Sequence, residues 1–124
     1  MIRGVRGAIT VKEDNEAEII SATEKLIRQM IEENQMKADQ VASIIFTVTE
    51  DLKSTFPAKA VRGIEGWRYV PVMCMQEIPV PVSLKKCIRV MMHVNTNTVQ
   101  EDIMHVYLEG AEILRPDLNI TKQA

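Results

Sequence analysis

Apolar and polar positions change period several times along the chain, and each change marks an element. Ile19, Ala22, Thr23, Leu26, Met30 and Ile31 keep helical spacing, and Asn15 and Glu18 ahead of them form a capping-box pattern. This predicts a long amphipathic helix over Glu16–Asn34. Before it, Ile2–Thr10 is short and glycine-punctuated; as a strand it places Ile2, Gly4, Arg6 and Ala8 on one face. Gln40–Glu50 is dense in β-branched residues and reads as a buried strand. Thr49 suits the cap of a short helical turn, and Pro57 suits the opening of another, closed by Gly63 and Gly66. Tyr69–Ile78 is a further strand, with Pro71 indicating an edge or an end. Lys85–Asn95 is another. In Thr98–Leu114, Thr98 and Glu101 repeat the capping-box pattern and Ile103, Val106, Tyr107 and Gly110 fall on one stripe, so a second long helix is expected there.

The predicted fold class is α+β: a single domain with a mixed β-sheet flanked by two long helices. Residues 1–118 form the domain, and residues 119–124 a flexible polar tail. Four or five strands and two helices leave much of the sheet uncovered. Association into a closed barrel would cover it.

Composition narrows the function. The 124 residues suit one domain, and a net charge of -2 with no dominant basic patch argues against a nucleic-acid binder. No apolar run approaches the ~20 residues of a membrane span, and the N-terminus lacks a secretory apolar region. Cys74 and Cys87 fit no zinc spacing and are too few for a disulfide scaffold, so a reducing cytoplasm is the expected location.

The chemistry centres on an arginine inside an apolar strand, "LKKCIRVMMHV". A guanidinium cannot shed its charge, and burying it unpaired is costly. Arg89 therefore needs a protein carboxylate or an anion from outside. Alternation puts Cys87, Arg89, Met91 and His93 on one face, leaving Ile88, Val90, Met92 and Val94 as core. In the preceding strand Cys74 and Gln76 share a face, with Met73, Met75 and Glu77 on the other. The candidate cluster is Arg6, Arg89, Glu77 and Cys74, with Arg62 and Arg115 in flexible neighbourhoods. Several arginines with one carboxylate suit a small polyanion, most simply a dicarboxylate. An internal Arg89–Glu77 pair is the alternative. His93 and His105 read as structural, Cys74 as pocket wall, and the eight methionines as core filler. No P-loop, dinucleotide fingerprint or HExxH motif is present.

Five segments, "IRGVRGA", "FPAKAVR", "GWRYVPVMCMQEI", "LKKCIRVMMHVNT" and "HVYLEGAEILRPDL", occur in this order over most of the chain. Together they resemble the monofunctional chorismate mutases of the small trimeric α/β-barrel class. The resemblance implies an isomerase that converts chorismate to prephenate, the branch step toward phenylalanine and tyrosine. It implies no cofactor and no metal, and a homotrimeric pseudo-α/β-barrel with sites between adjacent subunits. By position, Arg89 matches the arginine at the breaking ether oxygen, and Glu77 the carboxylate near the ring hydroxyl. Arg6 and Tyr107 match residues that hold substrate carboxylates, and Cys74 one that contacts the ring hydroxyl. Phe56, Ala58, Lys59, Val72, Met73 and Leu114 match pocket walls, and Arg62 and Arg115 mobile residues near the mouth. Val82 stands where many members have glycine. A trimeric binding module and an imine-hydrolysing enzyme of similar shape share the same outline.

Overall fold

The computed structural model describes residues 1–114. The expectations for Arg115 and for the tail 119–124 lie outside the described residues. Five strands form one mixed sheet: β1 (Ile2–Thr10), β2 (Val41–Val48), β3 (Val72–Gln76), β4 (Cys87–Asn95) and β5 (Val106–Leu108). Their spatial order is β3-β2-β4-β1-β5. The central strand β4 is antiparallel to both β1 and β2, while β3 joins β2, and β5 joins β1, in parallel.

The long helix α1 spans Glu16–Asn34, as its apolar stripe predicts. Asn15 caps it, with Oδ1 accepting the Glu18 N–H at 2.8 Å. The reciprocal half of the capping box is redirected: the Glu18 carboxylate takes the N–H groups of Lys12 and Glu13 instead. At the other end Gln35 turns left-handed, at φ 50°, and the Met36 N–H returns to the Ile31 carbonyl. Ile19, Thr23, Leu26, Ile27 and Met30 are buried along the stripe, and the Thr23 hydroxyl is satisfied by the Ile19 carbonyl at 2.7 Å.

This stripe covers only one face of the sheet. Val5 and Ile9 of β1, Ile44 and Phe46 of β2, and Ile88, Val90, Met92 and Val94 of β4 pack with it in a single core. A bulge between Val41 and Ser43 lets Val41 join that face although Ser43 points away. The short helix α2 (Ala58–Arg62) follows Pro57, ends at Gly63 and packs beside α1 through the buried Val61. The other face carries Arg6, Ala8, Ser43, Ile45, Thr47, Met73, Met75, Arg89, Met91 and His93 by register. Met73 and Met75 are exposed there, and Met91 is half-buried; of the eight methionines only Met30, Met36 and Met92 fill the core.

The expected second long helix is not formed. Residues 98–114 instead make two single 3₁₀ turns, Gln100–Asp102 and Glu109–Ile113, on either side of β5. Thr98 does not cap a helix; its N–H takes the Thr96 hydroxyl. Val106 and Tyr107 pair with Gly7 and Ala8 of β1, which sends Val106 into the main core with Ile103, and Tyr107 to the other face. Asn34 ties the segment down by bonding both the N–H and the carbonyl of Met104. A sheet edge offers main-chain partners that an isolated helical pattern cannot weigh against its own.

Gly7 lies where α1 crosses β1. A Cβ there would sit 2.5 Å from Met30 Sδ and 3.0 Å from Val90 Cγ1. Gly7→Ala is therefore expected to lower unfolding free energy by about 1–3 kcal/mol through overpacking, read by urea denaturation; unchanged stability would mean that the helix does not approach this closely.

Candidate active site

Arg89 sits mid-strand on the open face of β4, opposite Ala8 of β1 and Thr47 of β2. The methyl of Ala8 leaves room on one side. Thr47 acts on the other: its hydroxyl donates to Glu77 Oε2 at 3.0 Å. Glu77 stands one residue past β3, and its N–H extends the ladder by bonding the Val48 carbonyl at 2.8 Å. The same Oε2 lies 3.0 Å from Nε of Arg89, with the two side chains 22% and 34% exposed. The internal pair anticipated as an alternative is thus present. Yet Nε is buried and its N–H is not aligned on the carboxylate, so the contact is one of charge and not a directed hydrogen bond. The Tyr107 hydroxyl is the other buried polar group with no partner among the described residues.

Ala8, Cys87, Tyr107 and Ala111, flanked by Leu84 and Leu114, form a small apolar cluster beside Arg89. Burial pushes the Cys87 thiol up; the adjacent Arg89 guanidinium draws it back, while Glu77 and Asp51 add to the rise. The Cys74 thiol is also raised by burial, opposed by the Ala58 N–H and the Arg62 guanidinium. Both cysteines are therefore thiols at neutral pH, not thiolate nucleophiles. His105 has the structural role expected of it, accepting the Arg6 N–H on Nδ1 at 3.0 Å. His93 Nδ1 meets the Ser43 hydroxyl at 3.1 Å. Among the described residues, no three His, Cys, Asp or Glu side chains converge to hold a metal ion, and no helix is long and apolar enough to cross a membrane.

The predicted site residues fall into two groups. Arg89, Glu77, Arg6 and Tyr107 occupy the open face, with Leu114 at its margin and Met73 on its outer strand. Val72 and Cys74 point to the helix side of β3, where both pack against the main core. Cys74 and Phe56 line a separate cavity of about 410 Å³ with Leu52, Thr55 and Pro57. Ala58 is buried, Lys59 and Arg62 are exposed on α2, and Lys59 is paired with Glu16 at 2.7 Å. The alternation along β3 therefore separates Cys74 from the cluster in which the arginine-based reading placed it. Thr47, which holds Glu77, was not anticipated; its position on the Arg89 face followed only from the strand register. Val82, 94% exposed, does not adopt a positive φ, so the loop before β4 accepts valine without backbone strain.

A permanent cation on a strand paired on both sides, beside a carboxylate and next to an apolar cluster that holds the protonated Cys87 thiol, defines an α+β protein whose open sheet face offers charge suited to a small anion. The comparisons carry this further. The chain belongs to the family described as chorismate mutase type I, whose profile matches residues 2–118. It is 55% identical to chorismate mutase AroH of Bacillus subtilis over 122 residues, covering 98% of this chain and 96% of that protein. It is 50% identical to chorismate mutase AroH of Thermus thermophilus, covering 95% and 97%. A solved chorismate mutase from Clostridium thermocellum superposes with a TM-score of 0.87 at 52% identity, covering 90% of this chain and 98% of that one.

The loop carrying Phe56 is pinned to the start of α1. Asp14 accepts the N–H groups of Lys53 and Ser54, and Glu16 takes Lys59 Nζ and the Thr55 hydroxyl. These bonds hold both carboxyls below their ordinary values, Asp14 chiefly through the Lys53 N–H and Glu16 chiefly through Lys59. A depressed value means that the tether is intact above the ordinary carboxyl pKa and is lost as pH falls through the folded one. Hydrogen-exchange protection at Lys53 and Ser54 is expected to collapse below the ordinary value of 3.8 in the wild type, and to be weak at neutral pH in Asp14→Ala. Equal protection in the two proteins at neutral pH would rule the tether out.

Proposed function

We propose that this chain rearranges chorismate to prephenate, with Arg89 at the ether oxygen that leaves carbon. The reaction breaks one C–O bond and forms one C–C bond within a single molecule. No proton moves and no covalent intermediate forms, which is compatible with two protonated thiols and no activated nucleophile. The protein's tasks are to hold the reactive conformer and to stabilise the charge that appears as the ether bond lengthens.

The observation that carries the assignment is the incompletely satisfied Arg89 guanidinium. Glu77 lies 3.0 Å from Nε, and arginine has further donors on its two Nη atoms. An incoming oxygen can take those donors while Glu77 keeps the guanidinium in plane. The fixed cation then faces an oxygen that becomes more negative in the transition state than in the ground state, the differential interaction that accelerates a reaction. Glu77, on the side of the ring fragment, complements the positive charge that develops there. Arg6 and the Tyr107 hydroxyl are the donors for substrate carboxylates, a role supported for Tyr107 by the lack of a hydrogen-bond partner among the described residues.

The second group of residues supports a site completed by another copy. The sheet itself stands between Cys74 with α2 on one side and Arg89 on the other, so one chain cannot present both to one ligand. The edge strand β3 carries exposed Met73 and Met75, and among the described residues the Arg89 face is covered only at its β5 end, by the 3₁₀ turn that carries Ala111. Three chains that pool these sheets into a barrel would bury that face and bring the β3–α2 side of one subunit, with Phe56, Ala58, Lys59, Arg62, Val72 and Cys74, against the Arg89 side of its neighbour. This assembly, acting in the cytoplasm, is the homotrimer that the family resemblance implies.

Purified protein given chorismate is expected to consume its ultraviolet absorbance and release prephenate. Arg89→Lys should lower kcat by ~10²–10³-fold, because a point charge replaces a planar fork at a developing oxyanion. Ligand-induced stabilisation without turnover, or near-normal turnover in Arg89→Lys, would reject the assignment. The profile of kcat against pH should be level around neutrality, since no general acid or base takes part. A bell centred there would require a titrating catalyst instead.

A further inference from the structure

Glu77 and Arg89 bracket one loop, residues 78–86, and the way that loop closes decides how the two groups face each other. It closes at Lys86, whose φ of 49° lies in the left-handed region that a residue with a Cβ rarely adopts. Such a conformation persists only where the surroundings over-determine it, and here they do so from both neighbouring strands. From the β2 side, the Asp51 carboxylate accepts the Lys86 N–H with both oxygens, at 3.1 and 3.0 Å. Asp51 also accepts the Thr49 hydroxyl, and Thr49 Oγ1 in turn accepts the Cys87 N–H at 3.0 Å. From the β1 side, the Val11 N–H bonds the Lys86 carbonyl at 2.9 Å and Lys86 Nζ bonds the Lys12 carbonyl at 3.0 Å. The β2–β4 ladder ends at the Val48–Ile88 pair. The Asp51–Thr49 hook continues the pairing beyond it and anchors the first two residues of the approach to Arg89.

We propose that Asp51 is a positioning residue of the reaction: it fixes the left-handed turn at Lys86 and thereby the start of β4 and the placement of the Arg89 guanidinium against Glu77. Asp51 does not touch the reacting atoms; it acts through the main chain of Lys86 and Cys87. The proposal rests on the catalytic reading of Arg89 given above. The carboxylate is suited to the task because it accepts two N–H or O–H groups at once without offering a donor of its own.

The test compares Asp51→Ala, Asp51→Asn and Lys86→Gly by steady-state kinetics with chorismate and by thermal unfolding. Asp51→Ala is expected to lower kcat by roughly tenfold or more while KM changes by less than about threefold, the pattern of an interaction made in the transition state. Adding Lys86→Gly to Asp51→Ala should restore much of kcat, because glycine takes the left-handed turn without steric cost. In an Arg89→Lys background Asp51→Ala should cost little further activity, since the two act as one unit. If Asp51→Ala does not fold, Asp51→Asn, which keeps one acceptor oxygen, is read in the same way with a smaller expected loss. Wild-type kcat in a folded Asp51 variant, a loss confined to melting temperature, or a full extra loss on top of Arg89→Lys would overturn the proposal. An Arg89→Lys enzyme with near-normal kcat would instead remove the reading on which the proposal stands.

Discussion

Arg89 carries a charge that no pH available to the protein can remove, on the middle strand of a sheet, with its Nε shielded from water. Everything nearby is arranged around that constraint. Glu77 supplies the opposite charge at 3.0 Å without a directed hydrogen bond, and Thr47 fixes the carboxylate by donating to the same oxygen. A fully satisfied buried ion pair would be inert, and an unpaired one would cost several kcal/mol. The arrangement lies between these limits. The pair is close enough to keep the chain folded around a cation, and open enough for the cation to act on something else.

The rest of the fold is asymmetric about the sheet. α1 and α2 bury one face with Leu26, Ile27, Met30 and Val61, residues that are almost fully shielded. The opposite face keeps half-buried Arg6, Arg89, Met91 and His93 and exposed Met73 and Met75. Sheets bury both faces or solvate one with polar groups, and a face that mixes arginine with methionine does neither alone. The same asymmetry divides the candidate site, because successive residues of β3 alternate between the two sides. The trimer proposed above would turn this division to use, with the charged half of a pocket from one subunit and its walls from the next.

Rigidity at the charged half comes from main-chain bonds. β4 is paired on both sides along its length, so Arg89 is carried on a strand that cannot shift without breaking two ladders. The residues proposed as walls are held by side-chain bonds instead, on α2 and on a loop tied to the exposed carboxylates of Asp14 and Glu16. Preorganisation where charge develops is what the proposed electrostatic chemistry would need.

Local pattern settled much of this protein. The helix Glu16–Asn34, the four strands before residue 96, the turn opened by Pro57, the edge character announced by Pro71 and the shared face of Cys87, Arg89, Met91 and His93 all follow from periodicity, because each depends on neighbours three or four residues away in a helix and two away in a strand. The motifs carrying Arg89 and Glu77 were equally plain, since an arginine in an apolar strand has few harmless explanations. Tertiary structure decided the remainder. Residues 98–114 show the spacing of a helix, yet Val106–Leu108 pair as β5 between two 3₁₀ turns, because the open edge of β1 and the Asn34 side chain lie far away in the chain and enter no local pattern. Cys74 and Arg89 appear as one cluster in the sequence, but lie on opposite sides of the sheet, a separation set by the parallel register of β2 and β3. Whether Arg89 met Glu77 or only an outside anion was likewise open until Thr47 and the end of β3 were placed. Short-range spacing encodes what a segment is; which long-range partner satisfies it is fixed only when the whole chain competes for its hydrogen bonds at once.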